Sequence, residues 1–220
     1  MLAKTFVVEG QAFFPSMDAG VFGGTSYYIG DINPRRQFYK PELSLGVMLK
    51  QNVTEHHSFR MNVFWGQLTG DDLDFTNKYQ QMRAHSFETV LLDCHAGFEF
   101  NFKPYIVKRQ TRTHSTYIFA AVGYSLILST TADIAGNHVT VPFGAGFKYR
   151  FNDWVTLGCE WGMRKTFNDT IDGLLNHGTE GSYAATHNND WYSFAGVYLT
   201  FRVFQKGFKC PGVFEERTYK

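Results

Sequence analysis

Strict alternation of apolar and polar residues recurs along the second half of this chain and constrains its fold more than any other feature. The clearest copy spans residues 139–151. Its polar positions include Thr140, Lys148 and Arg150, and its apolar positions are Val139, Val141, Phe143, Ala145, Phe147, Tyr149 and Phe151. A period of two over this length predicts a β-strand with two different surroundings. Because the polar face ends in Lys and Arg, the pattern indicates lipid on one side and a polar interior on the other, which is typical of a transmembrane β-barrel.

The composition agrees with many strands in one domain. Of the 220 residues, 17% are aromatic and 21 are Gly, a mixture that favours strands over helices. No apolar run approaches the roughly 18 residues of a spanning helix. The formal charge of +1 gives no indication of a nucleic-acid partner.

Eight antiparallel strands are predicted, each close to the length that a tilted strand needs to cross a bilayer. They cover residues 18–28, 39–50, 58–68, 87–102, 116–128, 139–151, 154–164 and 191–203. An even number returns both termini to one side. The links on that side are mostly short and the others longer, which predicts an integral outer-membrane barrel with its termini in the periplasm. The barrel is thus expected at 18–204, with periplasmic segments at 1–17 and 205–220. Residues 1–10 lack a signal-peptide pattern, so a removed leader or an altered start is expected.

Charged residues on the inward faces predict a plugged interior. An eight-stranded barrel is only wide enough for its own side chains, and an unpaired buried charge costs several kcal/mol. A mixed set of acids and bases therefore predicts an internal salt-bridge network in a scaffold without a pore. The acids are Glu42, Asp93, Glu99 and Glu160, and the bases are Lys50, Arg60, Lys148, Arg150, Arg164 and Arg202.

The sequence gives little indication of catalysis. No metal-ligand spacing is found among the eight His and three Cys, so neither a metal nor another cofactor is expected. One alternative is an acid/base set near the external rim, of the kind that small outer-membrane hydrolases use. Its candidates are His85, Ser86, Asp71, Asp72, Asp74, Asp169 and Asp172. The other alternative is that these residues belong to ordinary solvated loops.

The cysteines and the C-terminal segment point to a partner. Cys94 and Cys159 are expected to face lipid on strands that are not neighbours, whereas Cys210 lies beyond the last strand. Cys210 either forms a disulfide with another chain or remains a free thiol. Residues 205–220 interleave basic and large apolar residues, which disordered tails seldom carry. The residues predicted to bind a periplasmic partner are Phe208, Lys209, Cys210, Pro211 and Phe214, with Lys108 and Arg109 of a basic turn second.

Three ordered strings resemble one family. Residues 20–34 (GVFGGTSYYIGDINP) resemble the first strand of PorG-like outer-membrane proteins of Bacteroidetes. Residues 142–148 (PFGAGFK) resemble the sixth strand of that family, and residues 161–172 (WGMRKTFNDTID) its seventh strand and following loop. The resemblance covers about residues 18–204.

This resemblance implies a non-enzymatic accessory barrel of the type IX protein secretion system, which serves gliding motility in some Bacteroidetes. Such a barrel associates on its periplasmic side with the ring formed by the lipoprotein PorK (GldK) and by PorN (GldN), and it is not the translocation channel. The alternative is an OmpX-like adhesion barrel or a small lipid or peptide hydrolase, either of which would work through its external loops.

Overall fold

The structure, a computed structural model, describes residues 16–30, 32–33, 36–76, 78–105, 114–131, 136–167 and 191–205. These residues form eight strands. They are β1 (Ser16–Ile29), β2 (Glu42–Asn52), β3 (His57–Asp71), β4 (Ser86–Asn101), β5 (His114–Thr130), β6 (His138–Arg150), β7 (Val155–Thr166) and β8 (Trp191–Gln205). Each strand pairs antiparallel with the next, and β1 pairs with β8 from Ser16↔Gln205 to Ile29↔Trp191. The sheet is therefore a closed barrel, as the alternation predicted.

The strand bounds agree with the sequence prediction to within three residues at every end. The largest differences are three residues, at the end of β3, which was predicted at residue 68 and is at Asp71, and at the start of β2, which was predicted at residue 39 and is at Glu42. Phe38 and Lys40 have positive φ angles of 57° and 42°, in the left-handed region. That backbone cannot continue a strand, so Tyr39 and Lys40 belong to the preceding loop.

β1 begins and β8 ends at one end of the barrel, here called the terminus end. β1, β3, β5 and β7 end, and β2, β4, β6 and β8 begin, at the other end of the barrel, here called the loop end. The β3–β4 link contains a 3₁₀ turn (Asp72–Asp74) and a short helix, α1 (Lys78–Arg83). No helix in the described part of the chain has the length and apolar character needed to cross a membrane.

The outer wall of the barrel is apolar. Phe98 on β4, Val122 on β5 and Val203 on β8 are 68%, 65% and 64% exposed, and similar residues face outward on every strand. Apolar exposure that runs around the whole molecule is not found on soluble monomers. It also fixes the register, because a slip by one residue would turn every inward charge, Arg150 and Arg164 among them, outward into lipid. An outward Arg costs roughly 2–4 kcal/mol at mid-membrane and less towards either surface.

The interior has two halves. At the terminus end it is filled by charged and polar side chains, including Arg60, Glu99 and Glu160. Towards the loop end an apolar, largely aromatic cluster encloses a smaller charged group, and Phe22 and Phe64 of this cluster stack with ring centroids 4.5 Å apart. Ile32 of the β1–β2 link belongs to this cluster and is fully buried. The sequence prediction of an ionic interior did not include the aromatic half.

Candidate functional site: the charged lumen and its two ends

Arg60 and Glu160 form the central ion pair of the lumen. Arg60 Nη1 donates to Glu160 Oε2 at 2.8 Å, and Nη2 donates to Oε1 at 2.9 Å. The Tyr117 hydroxyl donates to the same Oε2 at 2.8 Å, and the Arg60 guanidinium lies 4.2 Å from the centroid of the Phe119 ring. Two parallel hydrogen bonds fix both side chains in direction as well as in distance.

Glu99 collects three cations from three different strands. Lys148 Nζ donates to its Oε1 at 2.6 Å, Lys50 Nζ lies 2.9 Å from its Oε2, and Arg60 Nη1 lies 3.6 Å from that same oxygen. All four side chains are almost completely buried. A carboxylate in this position neutralises charge that the lumen could not otherwise hold away from water.

A second charged group lies nearer the loop end. Arg164 Nε donates to Asp93 Oδ2 at 3.2 Å, and its guanidinium lies 4.5 Å from the Phe194 ring centroid. His95 Nδ1 lies 3.4 Å from Asp93 Oδ2, and Ser125 Oγ donates to Asp93 Oδ1 at 3.4 Å. Ser125 is thus bonded to the carboxylate rather than to the histidine, so these residues do not form a nucleophile–base pair.

The turn after β4 closes the terminus end of the barrel. Tyr105 is buried, and its hydroxyl lies 2.5 Å from Thr156 Oγ1. Its ring lies 4.2 Å from Lys148 Nζ and 4.4 Å from the Arg150 guanidinium carbon. The backbone N–H of Tyr105 donates to Glu55 O at 2.9 Å, which ties this turn to the β2–β3 turn. The Tyr105 side chain therefore blocks the lumen at the terminus end, next to the ion pairs.

Asp18 completes the terminus end. Arg202 Nε donates to Asp18 Oδ1 at 3.2 Å, and Asn52 Nδ2 donates to Oδ2 at 2.9 Å. Asn52 also accepts a hydrogen bond from the Ser58 hydroxyl at 2.8 Å. These contacts link β1, β2, β3 and β8 and hold the pairing between the first and last strands.

The structure brings together most of the predicted lumen residues but not all of them. Arg60, Glu99 and Glu160 share one cluster, whereas Asp93 with Arg164 and Arg202 with Asp18 form separate groups. Glu42 lies apart at the loop end, half-buried, where Thr69 Oγ1 is 3.4 Å from its Oε1. The predicted partner-binding residues lie outside the described residues; they are Lys108, Arg109, Phe208, Lys209, Cys210, Pro211 and Phe214.

Sequence reasoning missed Asp18, Tyr105 and Tyr117. Alternation on β1 would have placed Asp18 inward, but the glycines of that strand obscured its faces. Tyr117 lies on the inward face of β5 with Phe119, and a tyrosine at such a position is normally interpreted as an apolar core residue and not as part of an ionic network. Nothing local in the sequence distinguishes Tyr105 from a residue of a solvated turn.

At the loop end, two links are joined by a polar cap. The Tyr39 hydroxyl donates to Asp74 Oδ2 at 2.6 Å, and Lys40 Nζ lies 2.7 Å from the same oxygen. Hydrogen bonds from Lys40 and Tyr39 lower the pKa of Asp74. Burial, and then the hydrogen bond to Asp74, raise the pKa of Tyr39 to about 12. Gln80 Nε2 of α1 also donates to Ile32 O at 2.8 Å, which holds Ile32 over the aromatic cluster.

Asp71, Asp72 and Asp74 of the possible acid/base set have structural partners in this cap, and the Leu73 backbone N–H donates to Asp71 Oδ1 at 3.0 Å. Asp72 is buried and accepts two hydrogen bonds from Arg83, at 2.6 and 2.7 Å, and one from the His85 backbone N–H at 3.2 Å. Asp74 is held by Tyr39 and Lys40 as described above. Asp169 and Asp172 lie outside the described residues. Among the residues that the structure describes, no group of His, Cys, Asp or Glu is arranged to hold a metal ion.

These features together define a class. A closed barrel of eight antiparallel strands, with its charges paired inside and its apolar side chains outside, is a β-barrel of the membrane-spanning type. The chain belongs to the family described as "Domain of unknown function (DUF6089)", whose model matches residues 5–212. No curated protein matches the sequence.

Several solved β-barrel structures have a similar fold. Neisserial surface protein A is 11% identical, with a TM-score of 0.49 over 88% of this chain and 99% of that one. Ail, the attachment invasion locus protein of Yersinia pestis, is 9% identical, with a TM-score of 0.44 over 87% and 99%. The N-terminal β-barrel domain of Pseudomonas aeruginosa OprF is 12% identical, with a TM-score of 0.42 over 84% and 96%. At these values nothing about activity or partners carries over, and the class rests on the geometry of this barrel.

Proposed function

We propose that this protein is an integral outer-membrane barrel that acts as a non-enzymatic accessory component of the type IX secretion system. In this role it anchors or stabilises the periplasmic ring of PorK (GldK) and PorN (GldN). The observation that carries the proposal is a lumen filled along its length, because a filled barrel suits an anchor and not a conduit. The resemblance of three strings of the sequence to PorG-like proteins supplies the particular secretion system.

The filling of the lumen has three successive layers. Tyr105 closes the terminus end, and the Glu99 and Glu160 ion pairs occupy the next layer. Beyond them, the aromatic cluster capped by Ile32 encloses the Asp93–Arg164 pair. Buried ion pairs of this kind are costly to separate, since removal of one partner leaves an unpaired charge away from water. Solute passage would require breaking all three layers.

The arrangement of the chain ends supports a partner on one side. Both the start of β1 and the end of β8 lie at the terminus end, so the chain enters and leaves the barrel at the same rim. In the proposed orientation this rim faces the periplasm. We assign ring contact to Phe208, Lys209, Cys210, Pro211 and Phe214, with Lys108 and Arg109 as a second contact, and a disulfide through Cys210 remains part of the proposal.

Deletion of residues 207–220 tests this assignment. The shortened chain should fold and insert, as judged by its heat-dependent migration on gels, but should no longer co-purify with the PorK/PorN ring from membranes. The variant Lys108→Gln/Arg109→Gln keeps the tail and tests the second contact, and it should weaken ring recovery less than the deletion. The Cys210→Ser variant on non-reducing gels reports the disulfide separately. Full ring recovery with the shortened chain would contradict the proposal.

The external-loop alternative makes the opposite prediction. For an adhesion barrel or a hydrolase, exchange of residues 168–190 for a short Gly/Ser linker would abolish function, while the tail deletion would have no effect. Under the present proposal the loop exchange leaves ring recovery unchanged.

A further inference from the structure

The buried charges at the terminus end of the lumen do not balance. Among the residues that the structure describes, this half of the barrel contains three buried carboxylates and five buried cations. The carboxylates are those of Asp18, Glu99 and Glu160, and the cations are those of Lys50, Arg60, Lys148, Arg150 and Arg202. Nearer the loop end, Asp93 and Arg164 neutralise each other. Because a buried charge without a counter-charge is costly, an excess of two cations predicts that further negative charge is held at the terminus end.

Part of this excess lies at the rim of the barrel. Arg150 is the last residue of β6, and Arg202 lies three residues before the end of β8. The other three cations lie deeper, where they contact Glu99 or Glu160. At the rim the described residues therefore place two guanidinium groups and one buried carboxylate, that of Asp18.

Arg202 has a donor that the protein does not use. Its Nε donates to Asp18 Oδ1 at 3.2 Å, and the other oxygen of Asp18 accepts from Asn52 Nδ2 at 2.9 Å. Its Nη1 is buried and has no hydrogen-bond partner within the described part of the chain. The side chain is 3% exposed, so bulk water does not supply one. Nη1 belongs to the end of the guanidinium opposite Nε–H, and such an end binds the two oxygens of a carboxylate or phosphate.

Arg150 lies close enough to contribute to the same site. Arg150 pairs with Thr156, and Thr156 pairs with Thr200, two residues before Arg202. Two strand spacings and one step of two residues separate the Cα atoms of the two arginines by about 12 Å, within the combined length of their side chains. The Tyr105 ring, 4.4 Å from the guanidinium carbon of Arg150, holds this side chain at the rim.

We propose that the terminus end of the lumen is a binding site for an oxyanion, and that the anion is a carboxylate of an acidic segment of the periplasmic partner. Arg202 donates to this carboxylate through Nη1, and Arg150 adds a second positive charge. A carboxylate on a side chain can enter a narrow site, and an acidic segment supplies more than one negative charge, which matches the excess of cations. The anion site follows from the barrel alone, whereas the partner as its source rests on the proposed function.

The anion site is tested on the purified full chain in neutral detergent at constant ionic strength. The probe is a tetrapeptide with two central glutamates, and its control is the same peptide with two glutamines. The acidic peptide should lower the unfolding equilibrium constant about elevenfold at ten times its dissociation constant, because only the folded site binds it. Urea unfolding followed by tryptophan fluorescence measures this change. Equal effects of the two peptides would overturn the site.

Three variants locate the site. Arg202→Gln should lose the response to the acidic peptide, whereas Lys103→Gln, which removes an exposed cation at the same end, should keep it. Asp18→Asn removes the carboxylate that competes for Arg202, so it should bind the peptide severalfold more tightly although the fold is weakened. Heat-dependent gel migration confirms that each variant is folded. A response that survives Arg202→Gln, or that weakens in Asp18→Asn, would contradict the assignment.

Recovery of the ring from membranes identifies the source of the carboxylate. With the tail intact, Arg202→Gln should lose ring recovery, and the acidic peptide should compete with the ring for the wild-type barrel. Unchanged ring recovery in Arg202→Gln, beside an intact response of the wild type to the peptide, would overturn the partner as the source. A peptide response that appears only after deletion of residues 207–220 would do the same and assign the site to the chain's own tail. Ring recovery that survives the deletion contradicts the secretion role and leaves the anion site standing.

Discussion

Arg60 of β3 and Glu160 of β7 form two hydrogen bonds, at 2.8 and 2.9 Å, across the full width of the lumen. Their strands lie four positions apart in a closed ring of eight, which is the largest separation that the barrel allows. The pair therefore connects opposite walls. Its geometry depends on closure of the sheet and in turn holds the two walls at a fixed distance.

Removal of one member of this pair should be strongly destabilising. Arg60→Met leaves the buried Glu160 without its hydrogen-bonded cation, and Glu160→Leu leaves Arg60 with only the more distant Glu99, 3.6 Å away. Each should lower the free energy of unfolding by about 3–5 kcal/mol. Urea unfolding in vesicles, followed by tryptophan fluorescence, measures this. The double variant should recover a large part of the loss. The rim variant Glu88→Gln should stay within about 0.5 kcal/mol of wild type. Additive effects of the two single substitutions would show that the pair is not coupled.

Substitutions at Tyr105 test whether its side chain stabilises and blocks the terminus end of the lumen. Tyr105→Ala removes a buried ring that packs against Lys148 and Arg150, and should cost roughly 3 kcal/mol of stability. Tyr105→Phe keeps the ring and loses only the contact with Thr156, so it should cost about 1 kcal/mol. Both variants should remain non-conducting in planar bilayers, since the ionic and aromatic layers still fill the lumen. Stable single-channel currents from Tyr105→Phe or from wild type would contradict a plugged barrel.

The polar cap at the loop end should respond to alkaline pH. The pKa of Tyr39 is raised to about 12, from 10.0, so the folded cap retains a proton that the unfolded chain releases. Stability from this group is therefore complete below pH 10 and is lost as the pH rises from 10 towards 12. The difference in tyrosinate absorbance between wild type and Tyr39→Phe should have its midpoint near the raised value. Asp74→Asn should lower the midpoint while keeping it above 10, because burial is the larger cause. A midpoint at the ordinary value would exclude this cap geometry.

Substitution of two neighbouring glycines of β1, Gly23 and Gly24, should have very different effects on stability. A Cβ on Gly24 would collide with the backbone of β8 at Ala195 O and Gly196 Cα, which cannot move aside. Gly23 faces outward, and the nearest atom to its Cβ would be Leu45 Cδ2 at 3.9 Å. Gly24→Ala should therefore cost about 1–3 kcal/mol, whereas Gly23→Ala should be close to neutral. Equal stabilities of the two variants in urea titrations would argue against the close β1–β8 approach.

Much of this architecture follows from local pattern. The alternation of residues 139–151 predicted β6 with a difference of one residue at each end, and it assigned Lys148 and Arg150 to the lumen. Predicted strand boundaries differ from the observed ones where the alternation continues into a loop, as at Tyr39. The reason is that side-chain periodicity carries no information about the sign of φ. The sequence prediction missed the aromatic half of the lumen. On a strand with large residues on both faces, nothing in the sequence distinguishes an inward phenylalanine, such as Phe22 or Phe64, from an outward one.

What the sequence by itself determined is the kind of surface on each face of each strand, because successive Cβ atoms point to opposite sides and the charges allow only one register. What the tertiary structure alone decided is which side chains meet. Arg60 and Glu160 are 100 residues apart in the sequence and form hydrogen bonds across the lumen. Tyr105 follows β4 in the sequence and contacts Thr156 of β7 at the terminus end of the barrel. These contacts form only when eight strands close and bring opposite walls within the length of two side chains, a distance that no local pattern encodes.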